Sequence, residues 1–263
     1  MYKRQIRGNT ITRNTAGAAY CNGSIRDNVI SYNADAGGLY FCDGEIVGNT
    51  IVGNYAAPDG GGLYACNGWI ENNVIAGNRT DGEGGGLYGC MQLICNNTIV
   101  GNVAGTYGGA ISRCPGTVQN NIIAFNEAST TAGIYGVAMN SYNTFWMNAG
   151  GNFGGDASLG VGDFVANPLF AADGQWDDGG TVATDDDTWI DGDYHLQSQV
   201  GRWDPTARQW VVDSETSRCV DAGSPAAQWF AELWPHGRQV NVGAYGNTAQ
   251  ASMSLSDVGH PAD

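Results

Sequence analysis

The stretch "GGGLYACNGWIENNVIAGN", Gly60–Asn78, recurs almost unchanged one step earlier, from Gly37 to Asn54, and one step later, from Gly84 to Asn102. Aligned on the Asn that closes each copy, successive units end at Asn14, Asn33, Asn54, Asn78, Asn102, Asn126 and Asn148, spaced 19, 21, 24, 24, 24 and 22 residues apart. A second Asn column holds Asn9, Asn28, Asn49, Asn73, Asn97, Asn121 and Asn143. Aliphatic columns run beside them: Leu39, Leu63, Leu87 and Ile111, then Ile25, Ile46, Ile70 and Ile94, then Ile30, Ile51, Ile75 and Ile99. A period in the twenties is the signature of a solenoid. The Leu spacing of a leucine-rich repeat is missing. The β-branched pairs punctuated by Gly and Asn predict several short strands per turn. Each unit then becomes one coil of a parallel β-helix, with coils stacked about 4.8 Å apart. The aliphatic columns fill the interior, and the Asn columns sit at corners where amides hydrogen-bond from coil to coil.

The composition agrees with many tight corners. Of 263 residues 41 are Gly and only 14% are charged, which leaves few charged outer faces for amphipathic helices. Acids outnumber bases 26 to 11, for a formal charge of −15, and Lys3 is the sole lysine. That balance disfavours nucleic acid, anionic membranes and polyuronates as partners, and leaves neutral glycans and cations. No run is long enough to span a membrane, so no membrane insertion is expected.

The repeat "GGGLY…I.NN.I.GN" resembles that of the right-handed parallel β-helix repeat proteins secreted by bacteria, and the resemblance covers residues 1–150. The tail "SRCVDAGSPAAQWFAELWPHGRQVNVGAYGNT" is similar to the closing segment of such proteins. The resemblance implies an all-β, right-handed parallel β-helix of about seven regular coils over 1–150. Irregular coils and a C-terminal cap follow over 151–263, within a single domain. It also implies a secreted or cell-surface location, with the signal peptide outside this sequence, and a carbohydrate-facing role. It does not choose among lyases, hydrolases, binding modules and adhesins on this fold.

Two columns carry candidate chemistry. Asp35, Asp59 and Glu83, followed by Tyr107, precede the Gly pairs of consecutive units, with Asp81 beside them. Stacked carboxylates about 5 Å apart match the spacing of a glycosidase pair, and mutual repulsion raises one pKa as a general acid requires. Two other readings stay open: solvated turn acids, and calcium held by carboxylates and corner carbonyls. The second column is Tyr40, Tyr64 and Tyr88, with Trp69 nearby. It is read as an outward strip on which sugar rings stack, or as aromatic stacking that supports the sheet. No other metal or cofactor is expected.

Cys21, Cys42, Cys66, Cys90 and Cys114 form a further column, read as a mostly reduced interior stack; the spacing is not that of a zinc site. His195, His236 and His260 lie outside the repeat and are read as structural. Motifs of polygalacturonase-like enzymes such as G-H-G and R-I-K are missing, and few bases are present for pectate-lyase-like chemistry. The expected function is therefore an extracellular glycoside hydrolase on a neutral polysaccharide of β-glucan, mannan or xylan type. The alternatives are a carbohydrate-binding module without catalysis and a structural or adhesive surface repeat. The open N-terminal coil is a pairing edge, through which self-association is expected.

Overall fold

The computed structural model describes residues 5–180 and 187–256. His260, Lys3, Arg4 and the first part of the basic segment 1–13 lie outside the described residues. The described chain is all β, with no helix, and its parallel sheets stack as a β-solenoid. Each coil visits the same faces in turn. The tyrosine sheet runs from Ala18–Ala19 through Leu39–Tyr40, Leu63–Tyr64 and Leu87–Tyr88 to Phe153–Gly154. A second sheet runs from Ile6–Arg7 through Ile46–Val47 and Ile70–Glu71 to Met139–Ser141. A third, the flank sheet, runs from Thr10–Thr12 through Val74–Ala76 to Phe164–Val165. A short fourth sheet holds Tyr55–Ala56, Arg79–Thr80, Val103–Ala104 and Glu127–Ala128.

The register is the one the repeat dictates. Leu63 pairs with Leu39 and Leu87, Ile70 with Ile46 and Ile94, and Ile75 with Ile51 and Ile99. All nine are fully buried in one continuous core. Identical residues at these three levels let each side chain rest on a copy of itself. Each fully buried aliphatic contributes about 1.5–3 kcal/mol of apolar burial.

Three corners per coil share one design. A residue with left-handed backbone comes first, such as Asn72, Gly77 or Ala65, with φ of 54°, 57° and 47°. An inward side chain follows it: Asn73, Asn78 and Cys66 respectively. At the first two corners the amide spans three levels. Asn73 Nδ2 donates to its own coil at Glu71 O (3.0 Å), to the previous coil at Ile46 O (2.8 Å) and to the next at Asn97 Oδ1 (3.0 Å). The ladders satisfy carbonyl and amide groups that a sharp corner would otherwise bury unpaired. The third corner substitutes sulfur. Cys66 Sγ donates to Tyr64 O (3.5 Å) and Leu39 O (3.6 Å), and Cys90 N donates to Cys114 Sγ (3.2 Å). All seven cysteines are free thiols. Burial raises the Cys66 thiol well above its ordinary range, so it stays a small apolar group with weak hydrogen bonds.

The C-terminal stretch covers one side of the solenoid. Phe153–Gly154 and Phe164–Val165 still stack on the solenoid, in register with Ile134–Tyr135 and Thr144–Phe145. Beyond them the chain packs along the flank sheet. Phe170, Trp189, Tyr194, Leu196, Val242 and Ala244 cluster with the outward side chains Val52, Val74, Ala76, Val100 and Ile122. Polar ties spread over several coils: Asn72 Nδ2 donates to Ala244 O (2.9 Å), Ala244 N to Thr98 Oγ1 (3.0 Å) and Ser224 N to Asn120 Oδ1 (2.7 Å). The physical reason is in the strands: Val74, Ile75 and Ala76 are all apolar, so this sheet is hydrophobic on both faces and needs a second cover.

Candidate functional site

The acidic column divides into separate environments. Asp59 and Glu83 sit on adjacent coils, where Asp59 Oδ1 accepts the Glu83 backbone N–H at 2.7 Å. Asp59 thus ties two turns together. Asp35 is out of step with them. Its carbonyl accepts from Ala57, two residues ahead of Asp59, because its unit is shorter by three residues than the 24-residue units that follow. Glu83 is clamped by Arg113 in a two-pronged ion pair, Nε to Oε2 at 2.7 Å and Nη2 to Oε1 at 2.8 Å, and by Ser112 Oγ at 2.7 Å. The Arg113 guanidinium holds the Glu83 carboxyl below its ordinary range. A general acid at neutral pH needs the opposite shift. Asp81 turns away and accepts the Tyr55 hydroxyl on Oδ2 at 2.7 Å.

The tyrosine strip is real but self-stacked. Tyr40 and Tyr64 rings lie 5.1 Å apart at 18°, and Tyr64 and Tyr88 lie 5.4 Å apart at 19°. Tyr64 therefore has an aromatic neighbour on each face. A sugar ring stacks on a free face, and Tyr64 at the centre of the strip keeps neither face free. Tyr107 belongs to a separate pair, stacked with Tyr135 at 4.4 Å. Trp69 is 56% exposed on the coil surface. Among the described residues, no group of three or more His, Cys, Asp or Glu side chains could hold a metal ion, and the acidic column does not form one. His195 is buried between Asp193 and Gln250 and stacked on Tyr245, as part of the packed flank.

A concavity among the described residues lies elsewhere. A cavity of about 460 Å³ opens between the corner after the flank sheet and the antiparallel hairpin Gln175–Asp177/Thr188–Ile190. Tyr32 and Tyr55 form its solenoid side, and Trp176 and Trp189 its hairpin side. Arg79, Asp81 and Asp187 supply the charge. The hairpin is pinned by two long-range bonds: Trp176 Nε1 donates to Gly101 O at 2.9 Å, and Tyr32 Oη donates to Trp189 O at 3.0 Å. Trp189 lies directly over Gly77 and Gly101, where an added Cβ would come within 2.1 and 2.0 Å of the indole. Arg79 Nη1 and Asp187 Oδ2 form a loose ion pair at 3.8 Å. The other Asp187 oxygen, Oδ1, is buried without a hydrogen-bond partner among the described residues. The Tyr55 phenol is pushed above its ordinary range, chiefly because its hydroxyl donates to the Asp81 carboxylate.

Of the candidate catalytic and substrate-binding residues read from sequence, only Asp81 lines this cavity. The rest of the lining carries no mark of the site in the repeat, because partners such as Trp176 and Gly101 lie 75 residues apart in sequence. One sequence signal was available. The corner position held by Arg13, Tyr32, Phe125 and Met147 in other coils is glycine at 53, 77 and 101. Consecutive glycines in one column mark a close approach by another part of the chain. No protein-family model, curated protein or solved structure matches this chain.

Proposed function

We propose that this chain is a carbohydrate-binding β-solenoid whose site is the cavity between the solenoid corner and the hairpin Gln175–Asp177/Thr188–Ile190. One observation carries the reading: among the described residues, four aromatic side chains and three charged ones meet in a single cavity of about 460 Å³. Aromatic faces stack on the C–H surface of a sugar, and a few fixed polar groups orient its hydroxyls. The excess of acids in the chain favours a glycan without acidic groups. The clamped Glu83 and the self-stacked tyrosines give less support to catalysis and binding on the tyrosine sheet. A secreted location remains part of the proposal and rests on the resemblance of the repeat.

A second reading is glycoside hydrolysis in the same cavity, favoured by the two carboxylates Asp81 and Asp187 that line it. One experiment separates them. The chain is incubated with insoluble glucans, mannans, xylans and chitin-derived polymers, and bound protein and released reducing ends are both measured. Retention without product, lost in Trp176→Ala, is the expected result. Product released by the parent and abolished in Asp81→Asn and Asp187→Asn establishes the second reading. No retention on any polymer removes the first.

A further inference from the structure

We infer that the cavity takes a protonated amine, carried by an amino-sugar polymer such as deacetylated chitin. This rests on the proposed reading of the cavity as the carbohydrate site and narrows its ligand. Three observations converge. The first is charge: among the described residues two carboxylates, Asp81 and Asp187, line the cavity against one guanidinium, Arg79, and that guanidinium already faces Asp187. Arg13 stands over the Tyr32 ring at 5.9 Å but is not part of the lining. The second is the walls. Tyr32, Tyr55, Trp176 and Trp189 surround the same space, with the two indoles edge to face at 5.4 Å and 70°. Aromatic rings around a pocket attract a cation through their quadrupole, and the attraction grows as the cation is desolvated. The third is Asp187 Oδ1, buried without a donor among the described residues. A buried carboxylate oxygen without a partner carries a large desolvation cost, which an ammonium N–H removes.

A neutral hexose offers hydroxyl donors but no charge, and leaves the excess carboxylate uncompensated. An N-acetylated sugar replaces the ammonium with a neutral amide. A glucosamine unit supplies the charge, the donors and an apolar ring face together, and the strongly acidic chain steers it inward.

The test is calorimetric titration of the whole chain with the glucosamine trimer, the N-acetylglucosamine trimer, cellotriose and choline. The glucosamine trimer is expected to bind at least tenfold more tightly than either neutral trimer. That preference is expected to vanish in Asp187→Asn. Raising the salt concentration is expected to weaken glucosamine-trimer binding and leave the neutral trimers unchanged, which needs no variant and so does not depend on Asp187→Asn folding. Equal affinity for the three trimers overturns the ammonium inference while the carbohydrate reading stands. Choline bound more tightly than the glucosamine trimer overturns the amino-sugar assignment. Binding of none of the four overturns both.

Discussion

Asn97 shows how much one residue holds in this fold. Its amide donates to Ile70 O, Cys95 O and Asn121 Oδ1, its N–H donates to Asn121 Oδ1, and its own Oδ1 accepts from Asn73 N and Nδ2. The residue is fully buried, so no water replaces these partners. Each buried polar group left without a partner costs about 1–3 kcal/mol. Asn97→Ala is therefore expected to lower unfolding stability by about 3 kcal/mol or more in urea titration. Asn14→Ala, at an exposed level of the other ladder, is expected to cost about 1 kcal/mol or less. Equal losses at both positions would show that the ladder is not the source of the stability. Cysteine completes the same device at the third corner, where a thiol has the length to reach the carbonyls an amide reaches elsewhere.

The hairpin Gln175–Asp177/Thr188–Ile190 is the element that makes the cavity, and it depends on glycine. Gly77 has φ of 57°, and any Cβ there would meet the Trp189 indole. Gly89 has φ of 65° and nothing within 4 Å of a Cβ. The two positions separate backbone strain from displacement. Gly89→Ala is expected to cost about 1–2 kcal/mol, the left-handed penalty alone. Gly77→Ala is expected to cost about 1–3 kcal/mol more, because the indole has to move from a packed site. It is also expected to shift tryptophan fluorescence to longer wavelength and to abolish glycan retention. Retained binding in Gly77→Ala would separate the hairpin from the site.

At the scale of the whole molecule, the flank cover has its own pH dependence. Glu232 is 6% exposed and accepts backbone N–H groups from Asn241 at 2.9 Å and Asn247 at 2.8 Å. Burial, opposed by those bonds, pushes its carboxyl up to about 7. The folded state therefore holds a proton that the unfolded chain releases at its ordinary carboxylate pKa. That contribution to stability is complete below the unfolded pKa and is lost as pH rises through about 7. Melting temperature is expected to fall between pH 5 and pH 7.5, and Glu232→Gln is expected to flatten that slope. At about 1.4 kcal/mol per pKa unit, the effect is on the order of a few kcal/mol. An unchanged slope in the variant would assign the dependence to another group.

The stacking of the chain was legible because a solenoid is a local fold. Each Leu, Ile and Asn meets its counterpart one period away, so a period in the letters becomes a column in space. Leu63, Ile70, Ile75, Asn73 and Asn78 could all be placed inward from Gly60–Asn78 alone. The strip Tyr40–Tyr64–Tyr88 was legible as a column, but its ring-on-ring contact depends on side-chain packing that spacing leaves open. Asp35 slipped out of register because a unit three residues shorter shifts the loop before the glycine pair. The cavity was decided only in the tertiary structure. Its hairpin leaves the repeat and returns to Gly77 and Gly101 across a long gap in sequence. Where a non-repeating segment docks is set by shape and by an apolar outer face, which no periodicity records.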